Sequence, residues 1–218
     1  MNSLKQFVFD SILDDIINGV YPIDFVFNEK FLIEKYQISR SPIRDALIEL
    51  CNEKILRSIP RFGYEIIRIT EKDMRDITQF RVILELEAFK LTCRPHCDEI
   101  VEGIAAFNKE TKTLLKNDMP NLRTMWQNNI HFHTMLISFI DNRYAEDTLK
   151  RALSMQYRAY SQLYWKKNML AKPNDSFDLT INEYHYTLEK LLREHKFEEA
   201  VQVLKDDICD ISAYFKGE

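Results

Sequence analysis

The feature that most constrains this chain is the run Ser39-Arg-Ser-Pro-Ile-Arg-Asp-Ala-Leu47. Pro42 fits the first position of a helix, where the missing N–H costs nothing and φ is already helical. Ser39 or Ser41 can cap this helix end by accepting a hydrogen bond from a backbone N–H group. The run therefore predicts a helix that begins at Pro42.

The side chains of this predicted helix separate into a buried face and a basic end. Apolar residues recur at i, i+3, i+4 and i+7, which is typical of one buried helical face: Ile43, Ala46, Leu47 and Leu50. Arg44 lies outside that face, and Arg40 precedes the first turn. A helix N-terminus favours phosphate, and an arginine fork can grip guanine O6 and N7. The pattern indicates either a DNA-recognition helix or a surface helix with two solvated arginines.

The preceding residues predict two further helices. Leu4 to Ile17 is amphipathic, and Asn18-Gly19 is typical of a helix end. Asn28 is a predicted cap for a short helix over residues 29–36, which the turn Gln37-Ile38-Ser39 connects to the next helix. This order of elements is a helix-turn-helix.

A predicted hairpin follows the helix-turn-helix. Residues 55–59 and 64–69 are β-rich runs, and Pro60-Arg-Phe-Gly63 joins them. A hairpin in this position is a wing, with Arg61 at its tip and Gly63 supplying the turn. The alternative is a hairpin that only closes the domain.

Residues 4–69 resemble the winged-helix domain of GntR-family bacterial transcription regulators, which carries the pattern SRxPVREALxxLxxEGL. Ser39 to Leu47 follows this pattern closely, and Lys54 stands where the family has its glycine. The resemblance implies contacts to base or phosphate from Arg40, Arg44 and Lys30. It implies a wing tip at Arg61 and Gly63. Together with the two serines of the helix start, the predicted DNA-binding residues are Lys30, Ser39, Arg40, Ser41, Arg44, Arg61 and Gly63.

The charge distribution agrees with DNA binding through the N-terminal part. The formal net charge is −4, but residues 30–68 hold eight Lys/Arg against five Asp/Glu. Phosphate contacts would therefore come from this segment. The chain starts with a stretch too polar for a secretory signal, and no apolar run is long enough for a membrane span. The four cysteines show no framework spacing, so we expect a cytoplasmic protein with reduced thiols. Cys93 and Cys97 are a possible metal-ligand pair, but no second pair lies nearby.

The rest of the chain predicts helices only. Thr70 can cap a long helix with Asp73 three residues on, and further helices are expected over residues 96–117, 119–140, 142–168, 177–194 and 196–216. The predicted fold is mainly α, with an N-terminal winged helix-turn-helix domain (residues 1–70) and a C-terminal all-α antiparallel helix bundle (residues 71–218). Bundles form ligand sites between facing helices.

Polar residues in several of these helices suggest such a site. Asn129 and His133 are four residues apart and share one face, while His185 and Asp207 lie in two later helices. Nitrogen and oxygen ligands from separate helices suit zinc, nickel, iron or manganese. The alternative is that both histidines are ordinary half-buried residues. Arg81 is either a ligand-facing cation or the partner of Glu85, one turn on.

Residues 75–212 resemble the FCD ligand-binding domain of the FadR-type subgroup. The marks are Arg81-Val-Ile-Leu-Glu85, Asn129-Asn-Ile-His-Phe-His133, Asp141-Asn142, Glu183-Tyr-His185 and Asp207. In the metal-binding members an Asp and three His hold the ion, and an arginine helps to hold a carboxylate effector. Here Asn129 replaces the Asp and Asp207 replaces the last His. The resemblance implies metal ligands at Asn129, His133, His185 and Asp207, and an effector contact at Arg81. Members without the metal bind larger ligands such as acyl-CoA.

These observations predict a ligand-responsive DNA-binding transcription regulator, a repressor released by a small organic acid or related metabolite. Its expected partners are double-stranded operator DNA, a small-molecule effector and a second copy of the chain, with no membrane. The alternative is a helical metal-dependent enzyme with a DNA-binding adaptor domain. We expect no enzymatic activity, because no partnered nucleophile and no general base beside His133 can be identified.

Overall fold

A computed structural model describes residues 3–22, 24–117, 122–168 and 181–213. The described chain divides into two compact units. The first holds the chain up to Ile69 and a segment that begins at Arg158, and the second holds Thr70–Tyr157 and the C-terminal helices. These units describe geometry alone, and the functional division at residue 70 stays a prediction.

The first unit is built on three helices, α1 (Leu4–Ile17), α2 (Glu29–Tyr36) and α3 (Arg40–Asn52). The Asn28 side chain caps α2 by accepting from the N–H of Phe31 at 2.8 Å, as the sequence predicts. Gln37 ends α2 in the left-handed conformation (φ 54°), which allows the sharp turn into α3.

The start of α3 differs from the prediction. The helix begins at Arg40, with Ser39 as its N-cap residue, so Pro42 occupies the third helical position. Proline is tolerated there because the first four N–H groups of a helix have no intrahelical partner. Ser39 makes no side-chain capping hydrogen bond. As a result, Arg40 belongs to the first turn of α3 and does not precede it.

A three-stranded antiparallel sheet completes the first unit. Strands β2 (Leu56–Ile59) and β3 (Gly63–Ile66) form the predicted hairpin. The sequence analysis missed β1 (Val26–Phe27), which pairs with β3 to give the order β1-β3-β2. Two residues are too few to show a strand periodicity. A Cβ on Gly63 would lie 2.1 Å from the carbonyl oxygen of Phe27, so the pairing with β1 requires glycine at this position.

The core of the first unit joins all three helices to the sheet. Its buried members include Val8, Ile12, Phe27, Leu32, Ile43, Leu47, Leu50, Leu56 and Ile66. The apolar face predicted for α3 lies within this core, since Ile43, Ala46, Leu47 and Leu50 are fully buried. The opposite face of α3 is therefore left to solvent.

The second unit is helical throughout its described residues. Its helices are α4 (Glu71–Thr92), α5 (Cys97–Asn117), α6 (Leu122–Ser138), α7 (Arg143–Asn168, as far as Tyr157), α8 (Ile181–Arg193) and α9 (Phe197–Ala213). This order confirms the predicted mainly α class. The predicted starts at residues 119 and 177 and the predicted end at residue 216 lie outside the described residues.

Packing in the second unit brings α4, α5, α6, α8 and α9 around one apolar core. Buried members include Leu86, Phe89, Ile100, Ile104, Phe132, Leu188, Leu192, Leu204 and Ile208. Thr70 and Asp73 form the predicted capping box at the start of α4. None of the helices in the described ranges has the length and hydrophobicity that crossing a bilayer requires.

The segment of α7 from Arg158 onward belongs to the first unit, where its side chains bind backbone groups. Arg158 donates to the carbonyl of Lys54 at 3.1 Å, and Ser161 donates to the carbonyl of Ile17. Lys54 has a positive φ of 53°, which agrees with its place at a position where the resembled family has glycine. Burial lowers the pKa of Arg158 to about 10, so this side chain is still a cation at neutral pH.

Candidate functional site

The predicted DNA-contacting side chains lie on the exposed surface of the first unit. The side chains of Arg40 and Arg44 are 73% and 64% exposed, and both project from the first turns of α3. Ser39 and Ser41 are exposed beside them. An N-terminal helix end with two exposed guanidinium groups has the chemistry to bind phosphate and guanine edges.

Lys30 and the wing carry the other predicted contacts. Lys30 is exposed on α2 and lies 3.8 Å from Glu34, a long ion pair. Arg61 is exposed at the hairpin turn with a positive φ of 71°. Beside it, Phe62 is 75% exposed, which is unusual for an aromatic side chain and which the sequence analysis did not single out. Gly63 holds the base of this turn.

A carboxylate that the sequence analysis did not identify lies between the two recognition-helix arginines. Glu29 Oε2 is 3.4 Å from Arg40 Nε, and Glu29 Oε1 is 3.5 Å from Arg44 Nε. Glu29 occupies the first helical position of α2, directly after the Asn28 cap. The helix-turn-helix geometry therefore brings the start of α2 against the start of α3.

The second unit contains a buried polar cluster. Three of the four predicted metal ligands, His133 on α6, His185 on α8 and Asp207 on α9, have candidate ligand atoms within 4.8 Å of one another. Asp207 Oδ2 lies 3.4 Å from His133 Nε2 and 3.6 Å from His185 Nε2. All three side chains are at most 3% exposed.

These separations fit a common cation better than direct hydrogen bonds. Two ligands about 2.1 Å from a tetrahedral ion lie about 3.4 Å apart. His133 Nε2, His185 Nε2 and Asp207 Oδ2 are all buried without a hydrogen-bond partner in the described part of the chain. Buried polar atoms are normally satisfied. Their convergence is therefore what an N,N,O metal site requires.

The pKa shifts of His185 and Asp207 also favour binding of a cation. Burial lowers the pKa of His185, against the opposing effect of Asp207, so the imidazole is neutral and able to ligate. Burial alone would raise the pKa of Asp207. The nearby side chains of His185, His133 and Arg81 nevertheless hold that pKa below its ordinary value. Asp207 is consequently an ionised ligand at neutral pH.

Glu85 and Arg81 extend the cluster along α4, so a carboxylate lies beside His133 where the sequence analysis identified none. Glu85 Oε2 lies 2.6 Å from His133 Nδ1, which orients the ring with Nε2 toward Asp207. Arg81, fully buried, donates to Glu85 Oε1 at 2.6 Å and to Gln156 Oε1 at 2.6 Å. Burial would raise the pKa of Glu85, but Arg81 and His133 hold it below its ordinary value.

Arg81 pairs with Glu85 and also keeps a donor that could face a ligand. The guanidinium is paired with Glu85, yet its Nη2 has no hydrogen-bond partner among the described residues. The same is true of Gln156 Nε2 and of both polar side-chain atoms of Asn129. Arg81, Gln156 and Asn129 therefore keep unused donors in a buried setting.

Asn129 and His131 lie on different faces of α6, as their spacing of two residues predicts. Asn129 is 3% exposed and lies one turn before His133 on the same face of α6. His131 is exposed and lies against Phe107, with ring centroids 6.0 Å apart. The His185 ring is held by Phe132, stacked at a centroid distance of 3.5 Å.

The four cysteines are free thiols: Cys51, Cys93, Cys97 and Cys209. Cys93 and Cys97 are buried, and burial raises the pKa of each thiol. Neither thiol belongs to a group of residues, among those that the structure describes, whose ligand atoms could hold one metal ion. The buried cluster of His133, His185 and Asp207 is therefore the candidate metal centre.

Two protein families match the chain. Residues 4–66 match the family of bacterial regulatory proteins, gntR family, and residues 76–208 match the FCD domain. These ranges correspond to the winged helix-turn-helix and to the helical unit that contains the buried cluster.

Named relatives are bacterial regulators. The gluconate operon transcriptional repressor of Bacillus licheniformis is 34% identical over 101 residues, which are 46% of this chain and 41% of the relative. The uncharacterized HTH-type transcriptional regulator YdhC of Bacillus subtilis (strain 168) is 28% identical over 149 residues, 68% of this chain and 62% of the relative. The matched regions thus span between about two fifths and three fifths of these relatives.

Solved structures share the fold over nearly the whole chain. McbR/YncC of E. coli superposes with a TM-score of 0.71 at 16% identity, covering 99% of both chains. Lar of Listeria monocytogenes gives a TM-score of 0.65 at 18% identity, covering 100% of this chain and 99% of Lar. With the FCD match covering most of its length and the regulatory match at its N-terminal end, the chain belongs to the gntR family of bacterial regulators that carry an FCD domain.

Proposed function

We propose that this protein is a ligand-responsive transcription regulator that binds operator DNA in the cytoplasm. The observation that carries the proposal is the exposed pair Arg40 and Arg44 at the N-terminal end of α3, within a winged helix-turn-helix. Lys30 and Arg61 add positive charge on either side, on α2 and the wing. Recognition helices read base edges with their N-terminal residues.

The second unit provides the response to a metabolite. The buried cluster holds two carboxylates, Glu85 and Asp207, against the guanidinium of Arg81. Burial disfavours an unbalanced charge. A divalent cation held by His133, His185 and Asp207 would add positive charge to the cluster and supply a Lewis-acidic centre that attracts anions.

A small organic acid is the effector class that this arrangement favours. A carboxylate needs a positive centre and hydrogen-bond donors, and Arg81 Nη2, Gln156 Nε2 and Asn129 Nδ2 are buried donors with no partner in the described chain. Asn129 Oδ1 is a further candidate ligand for the ion, though a neutral and weaker one than the carboxylate of Asp207. Two relatives are gluconate operon repressors, which supports repression relieved by an organic acid.

We propose that the regulator acts as a homodimer. Phe80, Ile83 and Leu91 are 38%, 60% and 72% exposed, and their spacing places them on one face of α4. Two copies joined through apolar surface would present two recognition helices to successive turns of a near-palindromic operator. Effector binding would then shift the population of dimers able to bind DNA.

The DNA-binding part of the proposal is tested with Arg44→Ala. Duplexes selected by the wild-type protein from a randomised pool are compared by fluorescence anisotropy. Loss of a well-placed arginine contact costs about 1–3 kcal/mol, or roughly 5- to 150-fold in affinity. The matched control is Arg143→Ala, an exposed arginine on α7.

Failure to enrich any duplex from the pool would refute DNA recognition. The enzyme alternative makes the opposite prediction for the same variant. If the winged domain were only an adaptor, Arg44→Ala would leave an activity of the helical unit unchanged.

The metal part is tested separately by elemental analysis of the purified protein, with zinc, nickel, iron and manganese measured together. The expected result is near-stoichiometric metal that is lost in His133→Ala and retained in His195→Ala, which changes an exposed histidine. Absence of metal from the wild type, even after incubation with each ion, would remove the metal site. It would redirect the search to metal-independent effectors and leave DNA binding untouched.

A further inference from the structure

We propose that Glu29 is the positioning residue that sets DNA specificity, by holding Arg40 and Arg44 in the orientation that reads guanine. This inference rests on the proposed DNA-binding function. The carboxylate of Glu29 lies between the two arginines, with one oxygen 3.4 Å from Arg40 Nε and the other 3.5 Å from Arg44 Nε. One side chain therefore orders both members of the recognition pair.

The atoms that Glu29 contacts determine which guanidinium nitrogens remain available to bind DNA. In both contacts the nearest arginine atom is Nε, on the side of the guanidinium. The two Nη nitrogens at the end of each group are the fork that grips O6 and N7 of guanine. The nearest contact of Glu29 with each arginine is therefore to a nitrogen that this fork does not use.

Glu29 itself is held in place. It occupies the first position of α2, where the Asn28 cap fixes the helix start and the helix dipole favours a carboxylate. Its side chain is only 24% exposed, against 73% and 64% for the two arginines it pairs with. A half-buried, anchored acid can restrain two flexible exposed bases, which lowers the entropy that they lose on binding.

The same carboxylate opposes binding that uses phosphates alone. Non-specific complexes depend on the number of phosphates neutralised by Lys and Arg. Glu29 offsets part of the charge of Arg40 and Arg44 and places a negative group at the protein–DNA surface. It therefore weakens complexes that use phosphate contacts alone. It also orients the guanidinium groups toward base edges, and both effects increase specificity.

The test compares two duplexes by fluorescence anisotropy across a salt series. One is the duplex most enriched by the wild-type protein from a randomised pool, and the other is a shuffled duplex of the same composition. In Glu29→Gln the shuffled duplex should bind more tightly, with a steeper salt dependence, while the selected duplex binds more weakly. We expect the ratio of the two affinities to fall by about tenfold.

A charge control separates positioning from simple electrostatics. Asp45 is exposed on α3 and makes no ion pair with Arg40 or Arg44 in the described part of the chain. Asp45→Asn also removes one negative charge near the DNA, so it should strengthen binding to both duplexes alike and leave the ratio unchanged. Glu29→Asp keeps the charge on a shorter side chain and should recover part of the ratio.

An unchanged ratio in Glu29→Gln, or a response identical to that of Asp45→Asn, would overturn the positioning role. Thermal unfolding of each variant establishes that the comparison is between folded proteins. If the wild type enriches no duplex at all, the proposed function itself fails. That outcome is distinct from a wild type that selects DNA and a Glu29→Gln variant that selects it equally well.

Discussion

Replacing Glu85 by glutamine should destabilise the helical unit strongly, although it exchanges only one carboxylate oxygen for an NH₂ group. Glu85 and Arg81 have side chains that are 3% and 0% exposed, so solvent does not screen their interaction. One carboxylate oxygen is 2.6 Å from Arg81 Nε and the other is 2.6 Å from His133 Nδ1. Glutamine has nearly the same volume, which separates the loss of charge from the loss of packing.

The magnitude follows from what remains around Arg81. After Glu85→Gln the buried guanidinium keeps Gln156 Oε1 as an acceptor but loses its anionic partner. The new amide has one oxygen and one NH₂ group, so Arg81 Nε and His133 Nδ1 no longer each face a separate carboxylate oxygen. Breaking a buried ion pair on one side costs about 3–5 kcal/mol. For a chain of 218 residues this corresponds to a fall in Tm of about 6–20 °C.

The assay is thermal unfolding followed by circular dichroism, with Glu87→Gln as the matched control. Glu87 is 66% exposed and pairs with Lys90 at 2.7 Å, so its replacement should cost less than about 1 kcal/mol. The double variant Arg81→Met/Glu85→Gln should be more stable than the sum of the single changes predicts, because it removes the unpaired cation. A loss below about 1 kcal/mol in Glu85→Gln, or strict additivity in the double variant, would refute the reasoning.

Three further predictions concern local structure, each measured by equilibrium unfolding. Accepting hydrogen bonds from the Thr70 side chain and backbone holds the pKa of Asp73 below its ordinary value of 3.8. Asp73→Asn should therefore be less stable than wild type at neutral pH, and the difference should vanish as pH falls through the lowered folded-state pKa. Gly63→Ala should cost more than about 1 kcal/mol, since its Cβ would meet a backbone oxygen at 2.1 Å. Asn28→Ala removes the cap of α2 and should cost about 1 kcal/mol; an unchanged stability in any of the three would contradict the assigned role.

The parts of the fold that could be predicted from sequence are those with local chemical signals. The start of α4 follows from Thr70 and Asp73, whose spacing is that of a capping box. The short helix α2 follows from Asn28 in the same way. The start of α3 was misplaced by two residues because proline is tolerated throughout the first turn and marks no single position within it.

The site could be predicted only in part, because convergence depends on packing between distant segments. His133, His185 and Asp207 come from three helices, and no spacing along the chain shows that their ligand atoms meet within 4.8 Å. The partner of Arg81 at i+4 was visible, but the contact of Glu85 with His133 depends on how α4 packs against α6. Gln156 carried no signal at all, since a glutamine in a long helix is ordinary.

Gly63 has a consequence for how such a regulator can change over evolutionary time. Its side-chain position is blocked by the backbone of Phe27, so substitution there damages the sheet whatever DNA is bound. One and two residues earlier, the side chains of Phe62 and Arg61 are exposed, although the positive φ of Arg61 (71°) restricts its backbone. Under the proposed function, substitutions of Arg61 and Phe62 can therefore change the choice of operator, while Gly63 must remain glycine for the sheet to form.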